Sequence, residues 1–357
     1  MLIFITAFLS LIGLMVIHEF GHFILAKKFG VRVEEFGIGY PPRIFGKKIG
    51  ETIYSLNLLP FGAFVKIYGE EERTKEERSF NVKPFWQKAL IILGGVISFW
   101  VVSVILLSIV SAIGVPSIIE DSQTNAVNPR VQVVEVAPDS PAQEAGIEIG
   151  DAISGVSIGG SHFSIDKVKD FQEIIDANRG RVVILIIERT GKTLEAPLSP
   201  RVSPPEGEGA VGIAIVRTGL ESYPWYIAPI EGAKSAFYLT VNVVRGWADA
   251  LVSLARRKPT GVQVMGPVGI FGLFFQVGKL GTVYFLQFVA IISIFLALFN
   301  LIPIPITDGG KLLFLVIEKI RGKPINQEFD KKINAVFFFL LLAVAVWVTI
   351  QDVIRLF

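Results

Sequence analysis

The sequence predicts a polytopic α-helical membrane protein with about four transmembrane helices, membrane-associated β-hairpins and a β-rich domain outside the membrane. Two observations support this fold class. Of the 357 residues, 52% are hydrophobic and 18% are charged, whereas a soluble domain carries roughly a quarter of its residues charged. The apolar residues also concentrate in runs of about 20, the length at which a helix crosses a hydrocarbon core about 30 Å thick. An ordinary globular protein does not fit this composition.

Four apolar runs are the predicted spans, and each reaches or nears the spanning length. They are Leu2–Ala26, about Ala89–Val115, about Val283–Leu301 and about Ile333–Ile350. The first run has no basic segment before it and no clear small-residue cleavage site, so we expect a retained helix and not a removable signal peptide.

Lysines and arginines cluster in segments 27–88 and 311–332. The positive-inside rule places both segments in the cytosol and both termini outside. The stretch from 113 to 282 then lies on the outer face, and its own basic residues do not oppose this because long domains translocate largely regardless of charge.

The predicted organisation has four parts. Residues 1–115 hold the first two spans and the cytosolic-side β-hairpins, 129–217 a soluble domain, 218–282 amphipathic connecting helices, and 283–357 the last two spans. The hairpins are expected because segment 27–88 is too polar to span and contains apolar strands punctuated by Gly and Pro. Segment 230–257 has an apolar stripe of helical spacing; it either lies in the membrane interface or packs on the other spans.

Residues 129–217 resemble a bacterial PDZ domain. A strand at 131–136 precedes a Pro-Asp-Ser-Pro-Ala turn with a short capped helix, and a helix at 166–177 and a strand at 181–189 follow. Gly209 and Gly212 resemble the family's carboxylate-binding loop, placed late as in circularly permuted bacterial PDZ domains, which implies binding of peptide C-termini. The alternative is a glycine-containing hairpin turn.

Composition removes several kinds of chemistry. The chain has no cysteine, so thiol nucleophiles, CxxC redox chemistry and Cys-ligated zinc are excluded. Its three histidines are His18, His22 and His162. The formal net charge of +2 predicts no nucleic-acid partner.

The string His18-Glu19-Phe20-Gly21-His22 lies near the cytosolic end of the first span. Helical positions four apart share a face, so both imidazoles can point at one zinc ion while Glu19 reaches a water molecule as general base. Gly21, which has no side chain, lets another backbone approach closely. Charged groups inside a span are costly and therefore indicate function; the alternative is a purely structural cluster.

A catalytic zinc site needs a third protein ligand. Because cysteine is absent and His162 belongs to the outer domain, a carboxylate at the same depth is required. Asp308 follows the proline-interrupted end of the third span and is the obvious candidate, although an Asp-Gly turn leaving the membrane is the simpler alternative.

These motifs together resemble the site-2 protease family, and more closely its bacterial RseP-type intramembrane metalloproteases. The resemblance rests on H-E-F-G-H in the first span, N-L-I-P-I-P-I-T-D-G-G after the third, and the intervening PDZ-like domain. It implies Zn²⁺ bound by His18, His22 and Asp308, with Glu19 as the base. It also implies that Asn300 and the β-element around Gly37 and Gly39 hold the substrate, and we expect an edge strand near Gly37.

The resemblance further implies partners and a location. The expected substrates are single-span membrane proteins, either an anti-sigma factor pre-trimmed by a site-1 protease or remnant signal peptides. The expected location is the bacterial inner (plasma) membrane, in contact with the lipid bilayer, with the active site toward the cytosol and the PDZ domain extracytoplasmic. Two features depart from the family: Gly95 and Ser98 replace its usual Pro and Asn, and one PDZ domain replaces two.

Three other functions are weighed against this one. Gly155-Val156-Ser157-Ile158-Gly159 spells a serine-hydrolase elbow but lacks the large α/β sheet that this motif requires. A non-catalytic PDZ scaffold or chaperone with a structural metal site differs from a protease in metal content and cleavage. Metal transport would need more polar residues within the membrane.

Overall fold

The protein is described by a computed structural model over residues 2–70, 74–122, 127–205, 207–258 and 265–356. Its helices are α1 (Leu2–Lys28), α2 (Phe85–Ile113), α3 (Pro141–Glu144), α4 (Val168–Ala177), α5 (Ala228–Ala255), α6 (Pro267–Leu280), α7 (Thr282–Leu301), α8 (Asp308–Arg321) and α9 (Gln327–Leu356). Its strands are β1 (Val33–Ile49), β2 (Thr52–Ile67), β3 (Val115–Ile118), β4 (Val127–Val136), β5 (Ala152–Ile158), β6 (Ser161–Ser164), β7 (Val183–Arg189), β8 (Lys192–Leu198) and β9 (Ile213–Glu221). The chain forms two compact units, one of Met1–Ser108, Pro229–Gly278 and Tyr284–Phe357, the other of Ile109–Ala228 and Lys279–Val283.

Four helices are long and apolar enough to cross a membrane, which confirms the predicted spans. They are α1, α2, α7 and α9. The last begins at Gln327, six residues before the predicted start, because its charged first turn is also helical. Glu328 and Asp330 in that turn stabilise the positive end of the helix dipole.

Helices α2 and α7 are joined by a reciprocal pair of hydrogen bonds. The Ser103 hydroxyl donates to the Ala290 carbonyl at 3.1 Å, and the Ser293 hydroxyl donates to the Phe99 carbonyl at 2.7 Å. Both serines are fully buried. Small residues that exchange such bonds let two helices approach closely within a bilayer, so the helix that leads to Asp308 is held against α2.

Helix α5 confirms the predicted helix in segment 230–257, and it packs on α2. The Trp100 indole donates to the Thr240 hydroxyl at 3.0 Å. Ala236 is fully buried, and a side chain at Gly232 would meet Ser108. The sequence left two alternatives, a helix in the membrane interface or a helix packed on the other spans. These contacts support packing on a span for this face of α5.

Strands β1 and β2 form the predicted β-structure after α1, but they pair more than once. Residues 43–49 pair with 52–57 as a hairpin, and 35–38 lie between 53–56 on one side and 63–66 on the other. Within the described residues, the open edges of this sheet are therefore 43–49 and 63–66.

One apolar cluster connects this sheet to three helices. Its buried members come from the end of α1 and the loop after it, from both strands, from the turn before α2, from the first turns of α2 and from the middle of α8: Ala26, Val31, Val33, Ile67, Phe80, Ile91, Ile92 and Leu315. The cluster places α8 beside the sheet.

The second unit contains a sheet of strand order β3-β9-β4-β5-β7-β8, with β6 paired to β5. The predicted elements are present: β4, the short helix α3 with Ser140 at its N-cap, α4 and β7. The chain stops helix α3 at Gly146, which has φ +74°. The buried core includes Val131, Phe171 and Leu185.

Candidate metal centre

Helices α1 and α2 cross at two glycines with their backbones in contact. A side chain on Gly21 would meet the Gly94 carbonyl, and one on Gly94 would meet the Gly21 carbonyl. The predicted close approach at Gly21 is thereby confirmed. This crossing brings the Ile91 carbonyl within 2.8 Å of His22 Nδ1.

Three side chains from α1 and α8 converge on one point, as the sequence predicts. The Nε2 atoms of His18 and His22 are 3.3 Å apart, and Asp308 Oδ2 lies 3.5 Å from the first and 3.4 Å from the second. Tetrahedral ligands at 2.0–2.2 Å from zinc are separated by about 3.3–3.6 Å. Within the described residues, His18, His22 and Asp308 form a group of side chains that could hold a metal ion.

The hydrogen bonding around these atoms also fits a metal site. His22 Nδ1–H donates to Ile91, which leaves the Nε2 lone pair toward Asp308. Asp308 is 6% exposed, and its Oδ2 has no hydrogen-bond partner in the described residues. A buried carboxylate oxygen without a partner is costly, and a divalent cation among these three atoms would satisfy it.

The His18 ring is held by packing instead of by a hydrogen bond. It stacks on Phe99 with 4.6 Å between ring centroids, and its Nδ1 has no aligned hydrogen bond. A side chain at Gly95 would overlap both imidazoles. Gly95, one of the two departures from the family pattern in the second span, therefore leaves the space that the rings occupy.

Asp308 is the first residue of α8, and this helix was not predicted from the sequence. Thr307 caps this helix: its Oγ1 accepts from Gly310 N–H and donates to the Ile302 carbonyl at 2.6 Å. A side chain at Gly309 or Gly310 would meet carbonyl oxygens of the preceding turn. The T-D-G-G string thus lets the helix start pack closely on that turn, and the Thr cap was the signal available in the sequence.

Glu19 and Asn300 lie on the helices that carry or precede these ligands, and both are half-buried. Asn300 Nδ2 donates to the Leu296 carbonyl of its own helix at 2.9 Å. Within the described residues, the Asn300 side-chain oxygen Oδ1 accepts no hydrogen bond. Glu19 follows His18 directly, so its carboxylate is about 100° round the helix from that imidazole.

The sheet does not leave Gly37 on an edge, and this expectation is wrong. Gly37 pairs with Ser55 on one side and Phe64 on the other. The Gly39 carbonyl accepts a hydrogen bond from Asn57 Nδ2 at 3.2 Å. Both glycines are required by packing inside the sheet, since a side chain at Gly37 would meet Phe64 and one at Gly39 the Leu59 carbonyl.

Gly209 and Gly212 close a turn in the second unit. Gly212 N–H donates to the Gly209 carbonyl at 3.0 Å, and the Gly212 carbonyl accepts from Ala137 N–H at 2.9 Å. Gly212 has φ +79° and lies directly on Ser140. His162 is exposed on β6 and is not part of the metal cluster.

Comparison with known proteins agrees with this site. The model of peptidase family M50 matches residues 6–344. A Clostridium perfringens protein named as a zinc metalloprotease is 36% identical over 353 residues, covering 98% of each chain. The regulator of sigma-W protease RasP of Bacillus subtilis is 29% identical over 446 residues, covering 99% of each chain. The chain belongs to peptidase family M50, the site-2 protease family, and is a multi-pass membrane zinc metalloprotease.

Proposed function

We propose that His18, His22 and Asp308 hold the zinc ion and that Glu19 is the general base of an intramembrane protease. The observation that supports this assignment is the tetrahedral spacing of three ligand atoms, two of which lie on the apolar helix α1 that also carries Glu19. Zinc bound there lowers the pKa of water and polarises the scissile carbonyl. Glu19 accepts the proton of the attacking water and returns it to the leaving amine.

The depth of the site indicates a substrate in the membrane. His18 lies about 25 Å along α1 from its start, at 1.5 Å per residue. The basic segments support the proposal that this end of the helix lies at the cytosolic side of a bacterial inner membrane. We therefore assign cleavage to peptide bonds in or near the transmembrane segment of single-span proteins.

The substrate must present an extended strand, because helical backbone groups are already hydrogen-bonded. Within the described residues, no further strand covers the open edge at 63–66, which lies next to the segment that contains Gly37 and Gly39. We propose that the substrate strand pairs with this edge and not with Gly37. Asn300, whose Oδ1 is available at the end of α7, holds a second part of the substrate backbone.

The name of the relative in B. subtilis, regulator of sigma-W protease RasP, supports the proposed substrate class. We assign to this chain an anti-sigma factor, shortened beforehand by a site-1 protease, or remnant signal peptides.

The second unit is proposed to be an extracytoplasmic PDZ domain. Within the described residues, β3 covers only residues 218–221 of β9, so the edge at 213–216 is open near α4. A peptide C-terminus can add to such an edge as an extra strand, with the turn at Gly209–Gly212 at its end.

The test compares Glu19→Gln with Asp308→Asn in the purified full-length protein. Glu19→Gln should keep one zinc per chain and lose cleavage of a model single-span substrate, because an amide cannot accept the proton. Asp308→Asn should lose zinc and cleavage together. Undiminished cleavage by Glu19→Gln contradicts the mechanism, and a wild-type protein that binds zinc but cleaves nothing supports the scaffold instead.

A further inference from the structure

An ion pair joins the helix that begins with Asp308 to the end of β2. Lys311, one turn after Asp308, places Nζ 2.7 Å from Glu70 Oε1. Glu70 follows the last residue of β2, Ile67, by three positions. The pair therefore connects the proposed zinc ligand with the strand whose segment 63–66 is an open edge.

The apolar contacts of α8 hold it beside the sheet, and the close packing of Gly309 and Gly310 holds its start on the preceding turn. Leu315 is buried in the cluster that also contains Ile67, and hydrophobic contacts are non-directional. A charged hydrogen bond, in contrast, specifies the direction between two groups. The Glu70 carboxylate raises the pKa of Lys311, so the lysine carries its charge in this pair.

The other ligands do not depend on α8. His18 and His22 share one helix, and the Ile91 carbonyl and the Phe99 ring hold their rings from α2. Asp308 is the ligand supplied by a separate helix. The position of α8 therefore decides whether the Asp308 carboxylate meets the two imidazoles.

We propose that Glu70 and Lys311 are positioning residues that fix Asp308 relative to the strand edge that receives the substrate. The inference rests on the proposed zinc role of Asp308. Neither residue takes part in bond cleavage. Loss of the pair releases the first turn of α8 from the end of β2, which weakens the hold on zinc and misaligns the substrate with it.

The test is a charge swap in the full-length protein. Glu70→Lys and Lys311→Glu each bring two like charges together, and each should lower kcat/KM for a single-span substrate about tenfold. Each should also speed zinc loss to a chelator. The double variant Glu70→Lys/Lys311→Glu restores an opposite pair and should return both measurements to within about twofold of wild type.

The Glu231–Lys234 pair is a matched control. It has the same 2.7 Å separation, and its lysine and glutamate side chains are 56% and 24% exposed, against 50% and 21% for Lys311 and Glu70. It joins residues of one helix, so reversing its charges should leave both measurements unchanged. If a reversed single variant does not fold, Glu70→Gln and Lys311→Met replace it, with an expected loss of about fivefold.

Two results overturn the inference. One is that Glu70→Lys and Lys311→Glu have the same kcat/KM and the same rate of zinc loss as the control variants. The other is loss in Lys311→Glu alone without rescue by the swap, which would mean that Lys311 acts independently of Glu70. If Asp308→Asn keeps zinc and cleavage, the proposed function itself fails; if it loses both while the swap series behaves as wild type, only this inference fails.

Discussion

The space around the two imidazoles is set by a residue with no side chain. At Gly95 a methyl group would overlap the rings of His18 and His22. One ring is hydrogen-bonded to a fixed carbonyl and the other is stacked on Phe99, so neither can move away without losing its support.

Gly95→Ala should therefore lower both zinc affinity and cleavage. A displacement of about 1 Å at a catalytic group can reduce the rate 10²-fold, and we expect a loss of this order in kcat/KM. Gly13→Ala is the control, because nothing lies within 4 Å of an added methyl group there and the residue belongs to the same membrane unit. Equal zinc affinity for the two variants would contradict the description of the site.

At the residue scale, the sequence identifies the two histidine ligands but not the residues that hold their rings in place. The spacing of His18 and His22 puts them on one helical face whatever surrounds them. The partners Ile91 and Phe99 come from another helix, and an apolar residue in a span carries no signal of which ring it contacts. Gly95 could have been suspected, since adjacent glycines in a span indicate close backbone approach.

Elements that make local contacts are predictable here, and those that depend on distant contacts are not. The spans follow from hydrophobic length alone. Helix α8 starts with Asp308-Gly309-Gly310, and glycine disfavours a helix by about 1 kcal/mol per residue. The Thr307 cap is the sequence signal for this start, and the packing on the preceding turn shows why glycines are needed there. The repeated pairing of β1 and β2 depends on contacts between residues up to 34 positions apart, such as Val33 and Ile67.

The arrangement of the β-sheet predicts that a substrate helix must unwind before cleavage. A helical segment cannot pair with the edge at 63–66, and broken backbone hydrogen bonds in lipid cost several kcal/mol each unless the enzyme satisfies them. Gly or Pro placed near the scissile bond should raise the cleavage rate, and all-leucine replacement should lower it. Asn300→Leu should slow both substrates with zinc content unchanged. Equal rates for the two substrates at comparable binding would contradict the unwinding requirement.

At the scale of the whole molecule, the two compact units are expected to have different functions. The described ligand residues all belong to the unit that contains the spans, and the sheet of β3–β9 belongs to the other. We therefore expect that bond cleavage and substrate choice can be changed separately.

Deletion of residues 129–217, with a short linker in their place, should change which substrates are cut. Cleavage of a short, pre-trimmed substrate should persist, because every proposed zinc ligand is retained. Gly212→Trp should have a similar effect on selection, since the turn at Gly212 lies on Ser140 with no room for a side chain. Loss of activity on all substrates by a folded deletion variant would give the domain a direct role in catalysis.

The central claim is that zinc is held by two imidazoles and one carboxylate. Zinc-edge X-ray absorption of the active, purified protein tests it directly, because the chain has only three histidines and no cysteine. We predict nitrogen and oxygen ligands at about 2.0–2.2 Å, outer-shell scattering from two imidazoles, and loss of the bound-zinc signal in Asp308→Ala. A spectrum with three imidazoles, which would require His162, or one unchanged by Asp308→Ala, would contradict the account.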